Sequence, residues 1–172
     1  MMAENDANPE MDEKTYELAQ LVFQLVRDGK ADELKKSLEM GLPVNIRTGN
    51  GDSLLMLASY NGHYDMTKLL LAHGADPELA NDRQQTPLAG VAFKGYKDIA
   101  ELLIEHGANV NATTPDGKTA LMFAAMFNQL EVVECLLTHG ADASMMTDEG
   151  KTALMLADAM GAADTRERLR NA

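Results

Sequence analysis

The chain repeats itself with a step of 33 residues, and a fixed step of that size confines it to folds made by stacking one small unit on the next. The phrase His-Gly-Ala occurs at 73–75, 106–108 and 139–141, and its glycine belongs to a ladder of Gly41, Gly74, Gly107 and Gly140. A second ladder in the same step, Ser53, Thr86, Thr119 and Thr152, precedes apolar runs. A hydroxyl there can accept from the first free amides of a helix. A third ladder, Gly29, Gly62, Gly95, Asn128 and Gly161, marks where that helix ends through a left-handed residue, with Asn as the tolerated substitute.

Between these markers lie two short helices per unit. The segment 116–148 shows both: a first helix from about 120 to 127, and a second in "LEVVECLLTHG" with Val132, Val133, Leu136 and Leu137 at helical spacing. The dipeptides "NG" at 50–51, "DG" at 116–117 and "EG" at 149–150 suit tight hairpin tips. Such a unit cannot bury its apolar face alone, whereas stacked neighbours bury a continuous one.

On these residues the chain resembles the ankyrin-repeat family. The segment "GKTALMFAAMFNQLEVVECLLTHGADA" (117–143) is similar to a full repeat, and "QQTPLAGVAFKGYKDIAELLIEHGANVNA" (84–112) is nearly as close, with Thr86-Pro87-Leu88 intact. The resemblance runs from 17 to 172 and implies an all-α ankyrin-repeat solenoid of helix-turn-helix units with short β-hairpin or turn tips. The expected division is an acidic flexible tail at 1–11 and a single domain at 12–172. That domain holds a divergent capping repeat at 17–49, full repeats at 50–82, 83–115 and 116–148, and a truncated capping repeat at 149–172. In the first, "DEKTYELAQLVFQLVRDGK" is expected to form one longer helix with Leu18, Leu21, Val22, Leu25 and Val26 facing inward. In the last, the charged "DTRERLRN" is expected to face water. Two features depart from the family pattern. Its histidine after "TPL" is replaced by Met56, Ala89, Met122 and Met155, removing the hydrogen bond that residue makes, and Arg83-Gln84 stand where sibling tips carry glycine.

Charge narrows the partners. With 27 acidic against 15 basic side chains, the net charge of −12 repels a phosphate backbone, so no nucleic acid is expected. No apolar run of 18 residues exists and the acidic start lacks the form of a secretion signal, so no membrane role and a cytoplasmic location are expected. Cys135 is the single cysteine, which forbids an internal disulfide.

The candidates for chemistry reduce to structural roles. His73, His106 and His139 recur one per unit on helices about 8–10 Å apart, too far to share a zinc held at about 2 Å; they are expected to cap the second helices. His63 falls in the turn between two helices and is expected to be structural as well. Cys135 takes the slot of Leu69 and Leu102, which points to burial rather than nucleophilic attack. Asp65, Asp98, Glu131 and Asp164 open the second helices, where a carboxylate meets the positive end of the dipole. No catalytic residue, metal or cofactor is expected, and the chain is expected not to be an enzyme.

The first helices carry a different signal. Positions pointing away from the stack are apolar where solvent alone would favour polar residues: Leu54, Leu57 and Tyr60; Phe93; Phe123, Met126 and Phe127; Leu156 and Met160. The family resemblance implies that this side, with the hairpin tips, forms a concave groove where partners bind. It also implies that Leu57, Phe123 and Leu156 hold a position that partly packs between repeats, and the alternative for the whole stripe is extra internal packing. The expected contact set is Tyr60, Phe93, Phe123, Met126, Phe127 and Met160, rimmed by Asp52, Arg83, Gln85, Asp116, Lys118 and Lys151. Asp82, Asp148 and Glu149 stand on the same tips. The expected function is that of an adaptor or scaffold, a monomer that binds a protein basic or apolar at the contact. The alternative is a stoichiometric inhibitor or immunity-type regulator, plugging a basic enzyme site with acidic tips.

Overall fold

A computed structural model describes residues 13–172, and the acidic tail expected at 1–11 lies outside the described residues. Ten helices follow in five pairs. They are α1 (Glu13–Arg27) and α2 (Ala31–Glu39), α3 (Leu54–Tyr60) and α4 (Tyr64–Ala72), α5 (Pro87–Lys94) and α6 (Lys97–Glu105), α7 (Ala120–Met126) and α8 (Leu130–Thr138), and α9 (Ala153–Ala159) and α10 (Ala163–Arg170). Among the described residues the only β pairing is two isolated bridges, Arg47 with Ser53 and Thr113 with Thr119, which close two of the tips. The fold is an all-α repeat solenoid.

Each ladder takes its local role. The side chains of Ser53, Thr86, Thr119 and Thr152 accept from the backbone amides of Met56, Ala89, Met122 and Met155, satisfying donors that a helix start leaves free. His73, His106 and His139 each donate from Nδ1 to the carbonyl four residues back, at 2.9, 2.8 and 2.8 Å, and so close the C-terminal ends of α4, α6 and α8. At the tips the left-handed position is held by Gly51, Gly117 and Gly150, but in the third unit by Gln84, with φ of 60°. Gln84 tolerates this because its amide donates to the Asn81 carbonyl at 2.8 Å and the Asn81 side chain accepts from Arg83 and Gln85.

Units are stapled at one recurring position, 63, 96, 129 and 162, each 33 residues from the last. His63 Nε2 donates to the Arg27 carbonyl at 2.7 Å, the Tyr96 ring lies over Gly62, and Gln129 Nε2 donates to the Phe93 carbonyl at 3.2 Å. The fourth member is Ala162, which has nothing to reach back with, and Asn128 reaches forward instead. Its Oδ1 accepts from the amides of Asp164 and Thr165 at 3.1 and 3.2 Å, and its Nδ2 donates to the Asp164 carboxylate. Asn128 therefore caps α10 from the preceding unit, while holding the left-handed φ of 57°. Replacing Asn128 by Gly relieves that backbone but strips two capping bonds, so the urea midpoint falls by the equivalent of about 1 kcal/mol. An unchanged or raised midpoint would show that backbone relief dominates.

One core runs the length of the stack. Leu55, Leu88 and Leu121 are sealed, as are Leu70, Leu103 and Leu136 on the second helices. Cys135 is buried, as its leucine-like slot requires. The longer first helix differs from expectation. Val22 and Val26 are buried and Leu25 half-buried, but Leu18 and Leu21 are 56% and 57% exposed, and Phe23 is buried in their stead. Leu21 is in register with Leu54, which is fully buried; α1 has no helix pair before it among the described residues, so the same slot opens to solvent. The reverse correction applies to Leu54, placed above on the outward stripe, and Leu156, expected to pack partly between repeats, is sealed further than that. Both are buried, because a first helix of seven residues has neighbouring units on both flanks or its own second helix behind it.

Candidate functional site

The first helices α3, α5 and α7 stand side by side and present one residue row to the inner face, Leu57, Gly90 and Phe123, one per unit, which α9 continues with the buried Leu156. Gly90 breaks the row. It sits within α5, where glycine costs about 1 kcal/mol of helix stability relative to Ala. The bare backbone has a use here: a Cβ at Gly90 would come within 3.2 Å of Tyr60 Cδ2, so the Tyr60 ring lies down against the helix instead of standing off it.

Three aromatic rings then run across the units. Tyr60 and Phe93 are parallel within 6° with centroids 6.4 Å apart, and Phe127 meets Phe93 edge to face at 4.4 Å and 70°. Lys94 places Nζ 5.1 Å from the centroid of the Tyr60 ring, an intramolecular cation–π contact. Leu57, Phe123 and Met126 are half-buried beside them, whereas Tyr60 and Phe127 remain 42% and 41% exposed. Together they floor a recess of about 650 Å³ whose other wall is the tips.

Nine of the twelve expected contact residues line this recess: Tyr60, Phe93, Phe123, Met126, Phe127, Asp52, Arg83, Gln85 and Lys118. Met160, Asp116 and Lys151 do not line it. Met160 is exposed at the end of α9, one unit further along. Lining residues that sequence reasoning missed include Gly90, Asn50, Asn61 and Asn81. The 57, 90, 123, 156 ladder held the signal for Gly90; the amides gave none.

The tips are electrostatically closed on themselves. Asp116 pairs with Lys118, and that contact, with the Thr114 hydroxyl, holds its carboxyl below the usual range. Lys151 does the same for Glu149. Asp82 faces Arg47 at 3.4 Å, and Asp52 accepts from Asn81 Nδ2 at 3.0 Å. The recess wall thus contains Asp52 and Asp82 against Arg83 and Lys118, two charges of each sign.

The opposite face offers a smaller hollow of about 340 Å³ beside Cys135 and His139. Burial pushes the Cys135 thiol above its ordinary pKa, and the nearby Glu101 charge adds to the effect. That is the reverse of what a nucleophile needs. Among the described residues no three His, Cys, Asp or Glu side chains gather to hold a metal ion, and no helix is long and apolar enough to cross a membrane.

Comparison with known proteins agrees with the architecture. The family model for ankyrin repeats in three copies matches residues 21–114 and 108–171. A putative ankyrin repeat protein of Pseudomonas aeruginosa is 52% identical over 61 residues, covering 36% of this chain and 36% of that relative. A transient receptor potential cation channel subfamily A member 1 homolog of Caenorhabditis elegans is 36% identical over 88 residues, covering 51% of this chain and 7% of its own length. The chain thus spans little more than a third of the first of these relatives and a small fraction of the second.

Proposed function

The chain belongs to the ankyrin-repeat family, and from that premise we propose that it is a non-catalytic adaptor that docks a protein partner in the aromatic recess of its inner face. Ankyrin repeats are generally protein–protein interaction modules, and the family is typically non-enzymatic. The observation that carries the reading is the Tyr60, Phe93 and Phe127 array, which leaves two large rings about two-fifths exposed among half-buried apolar neighbours. Aromatic side chains held rigidly beside a polar rim are the residue types that anchor interfaces. On this reading the chain acts as a monomer, with residues 12–172 as a single binding domain.

The plug reading, in which acidic tips enter a basic enzyme site, has less support. The tip carboxylates of Asp82, Asp116 and Glu149 already face cations of their own chain. Exposed pairs of this kind are weak, each worth about 0–1 kcal/mol, so the test is direct. Changing Asp52, Asp116 and Glu149 together to Asn leaves partner affinity within about threefold on the groove reading. Loss of binding with the aromatic array intact would favour the plug.

A further inference from the structure

We infer that α1 carries a second docking surface, an apolar stripe at the end of the stack that takes one amphipathic α-helix of a partner, with basic residues along that helix's edge. Leu18, Leu21 and Leu25 follow the spacing i, i+3, i+7 and so lie along one side of α1. Leu18 and Leu21 are exposed and Leu25 is half-buried. None of the three lines the inner-face recess, so filling one surface leaves the other open. A chain with both surfaces can bridge two partners.

The repeat itself gives the shape of the occupant. Leu54, Ala120 and Ala153 are in register with Leu21, and Ala58, Ala124 and Ala157 with Leu25; all six are buried. Among the described residues α9 has a preceding unit and no following one, and it still buries Ala153 and Ala157. The surface that covers these positions is therefore the preceding first helix, which packs on α9 from α7. On α1 the same side is bare, and it accepts a helix.

One helix fits better than a further helix pair. On α2 the positions in register with the buried Met66, Ile99 and Val132 and with the buried Leu70, Leu103 and Leu136 are Glu33 and Ser37. A helix pair would bring its second helix over the exposed Glu33 carboxylate, whereas a single helix on α1 leaves that carboxylate in water. α1 also starts at Glu13, about 12 Å of helix ahead of the register in which α3 starts at Leu54. A second copy stacked in that register would lay α9 along 21–27 and leave Leu18 beyond it.

Charge sets the chemistry of the partner. The edge of the stripe away from the core carries Glu17, Gln24 and Asp28, all exposed, with Gln24 Nε2 donating to the Asp28 carboxylate at 2.9 Å. Through residue 17 the sequence holds six carboxylates and one cation, Lys14. An anionic edge beside leucines favours Lys or Arg on the incoming helix and repels an acidic one. It also disfavours residues 1–12 as the occupant, since Glu4, Asp6, Glu10 and Asp12 would be set beside Glu17 with no cation among them.

Selection of a display library of helical peptides on the full chain tests this. The selected peptides are expected to share apolar residues at i, i+3 and i+7 with Lys or Arg beside them. Their affinity falls at least about tenfold on Leu18→Gln with Leu21→Gln, and by a similar factor when salt rises from about 0.05 to 0.5 M. It stays within about twofold on Phe93→Ser with Phe127→Ser. Gln is close to Leu in helix propensity, so the urea midpoint of the Leu18 and Leu21 variant is expected to be unchanged. Glu17→Lys with Asp28→Lys leaves the leucines in place and is expected to weaken the same peptides about tenfold. Absence of any peptide that depends on Leu18 and Leu21 would overturn the inference, as would dependent peptides that are acidic or indifferent to salt. A chain that sediments as a dimer and returns to monomer on Leu21→Gln would give the stripe to a second copy instead. A urea midpoint lowered by Leu18→Gln with Leu21→Gln would give it to a segment of this chain, and either result overturns the partner helix while leaving the groove reading intact.

Discussion

Changing Phe93 and Phe127 together to Ser weakens partner binding by at least about 100-fold while the chain stays folded. The asymmetry follows from where the rings lie. Truncating a central aromatic anchor at an interface costs about 2 kcal/mol or more, and two such losses exceed the roughly 2.7 kcal/mol that a 100-fold change represents. Within the folded chain the two rings contribute their edge-to-face contact, the stacking of Phe93 on Tyr60 and the covered part of each ring. Their loss costs about 2–4 kcal/mol of stability, inside the usual 5–15 kcal/mol margin. Affinity by titration calorimetry and a urea melt of the same sample separate the two quantities. A collapse of stability with no selective effect on affinity would make the rings core rather than contact.

The second large effect is in the core, and it depends on position along the stack. Leu55, Leu88, Leu121 and Leu154 are one ladder, and the first three are 1% exposed whereas Leu154 is only half-buried. Leu88→Ala opens a cavity between units that close-packed neighbours on both sides cannot fill, and costs about 3–4 kcal/mol. Leu154→Ala removes side chain already partly in water and costs about 1 kcal/mol. Equilibrium urea melts of the two variants read the difference. Equal losses would contradict a core that is continuous through the middle of the stack and thins at α9.

These two cases also show what the sequence discloses and what it withholds. Period and capping chemistry are local, so the Ser53, Thr86, Thr119 and Thr152 caps and the His73, His106 and His139 ends are written in the residues themselves. The aromatic stripe is equally readable, because Tyr60 and Phe93 are one period apart and Phe127 one residue beyond the next. Burial at the ends is not. Leu21 and Leu54 occupy the same slot, and only the presence of a preceding unit decides which is sealed. The burial of Leu54 is hidden for a related reason: on a helix of seven residues the outward arc is narrow, and one position of rotation moves a side chain from solvent to core.

The role of Asn128 shows a different limit. Its spacing identifies a left-handed residue, but the reason it is Asn lies in the next unit, where its Oδ1 accepts from the Asp164 and Thr165 amides at the start of α10. Compensation between units is visible only when the units are in contact. Gly90 belongs to the same class, since its missing side chain acquires a role only when the Tyr60 ring of the preceding unit lies against it.

Placing a photo-crosslinking benzoylphenylalanine at position 127, and separately at position 101 on the opposite face, tests the central claim most directly in the cells that make this chain. The recess account predicts a discrete protein adduct from position 127 that Phe93→Ser abolishes, and none from 101. Adducts from 101 alone, or from both positions without dependence on Phe93, would contradict it.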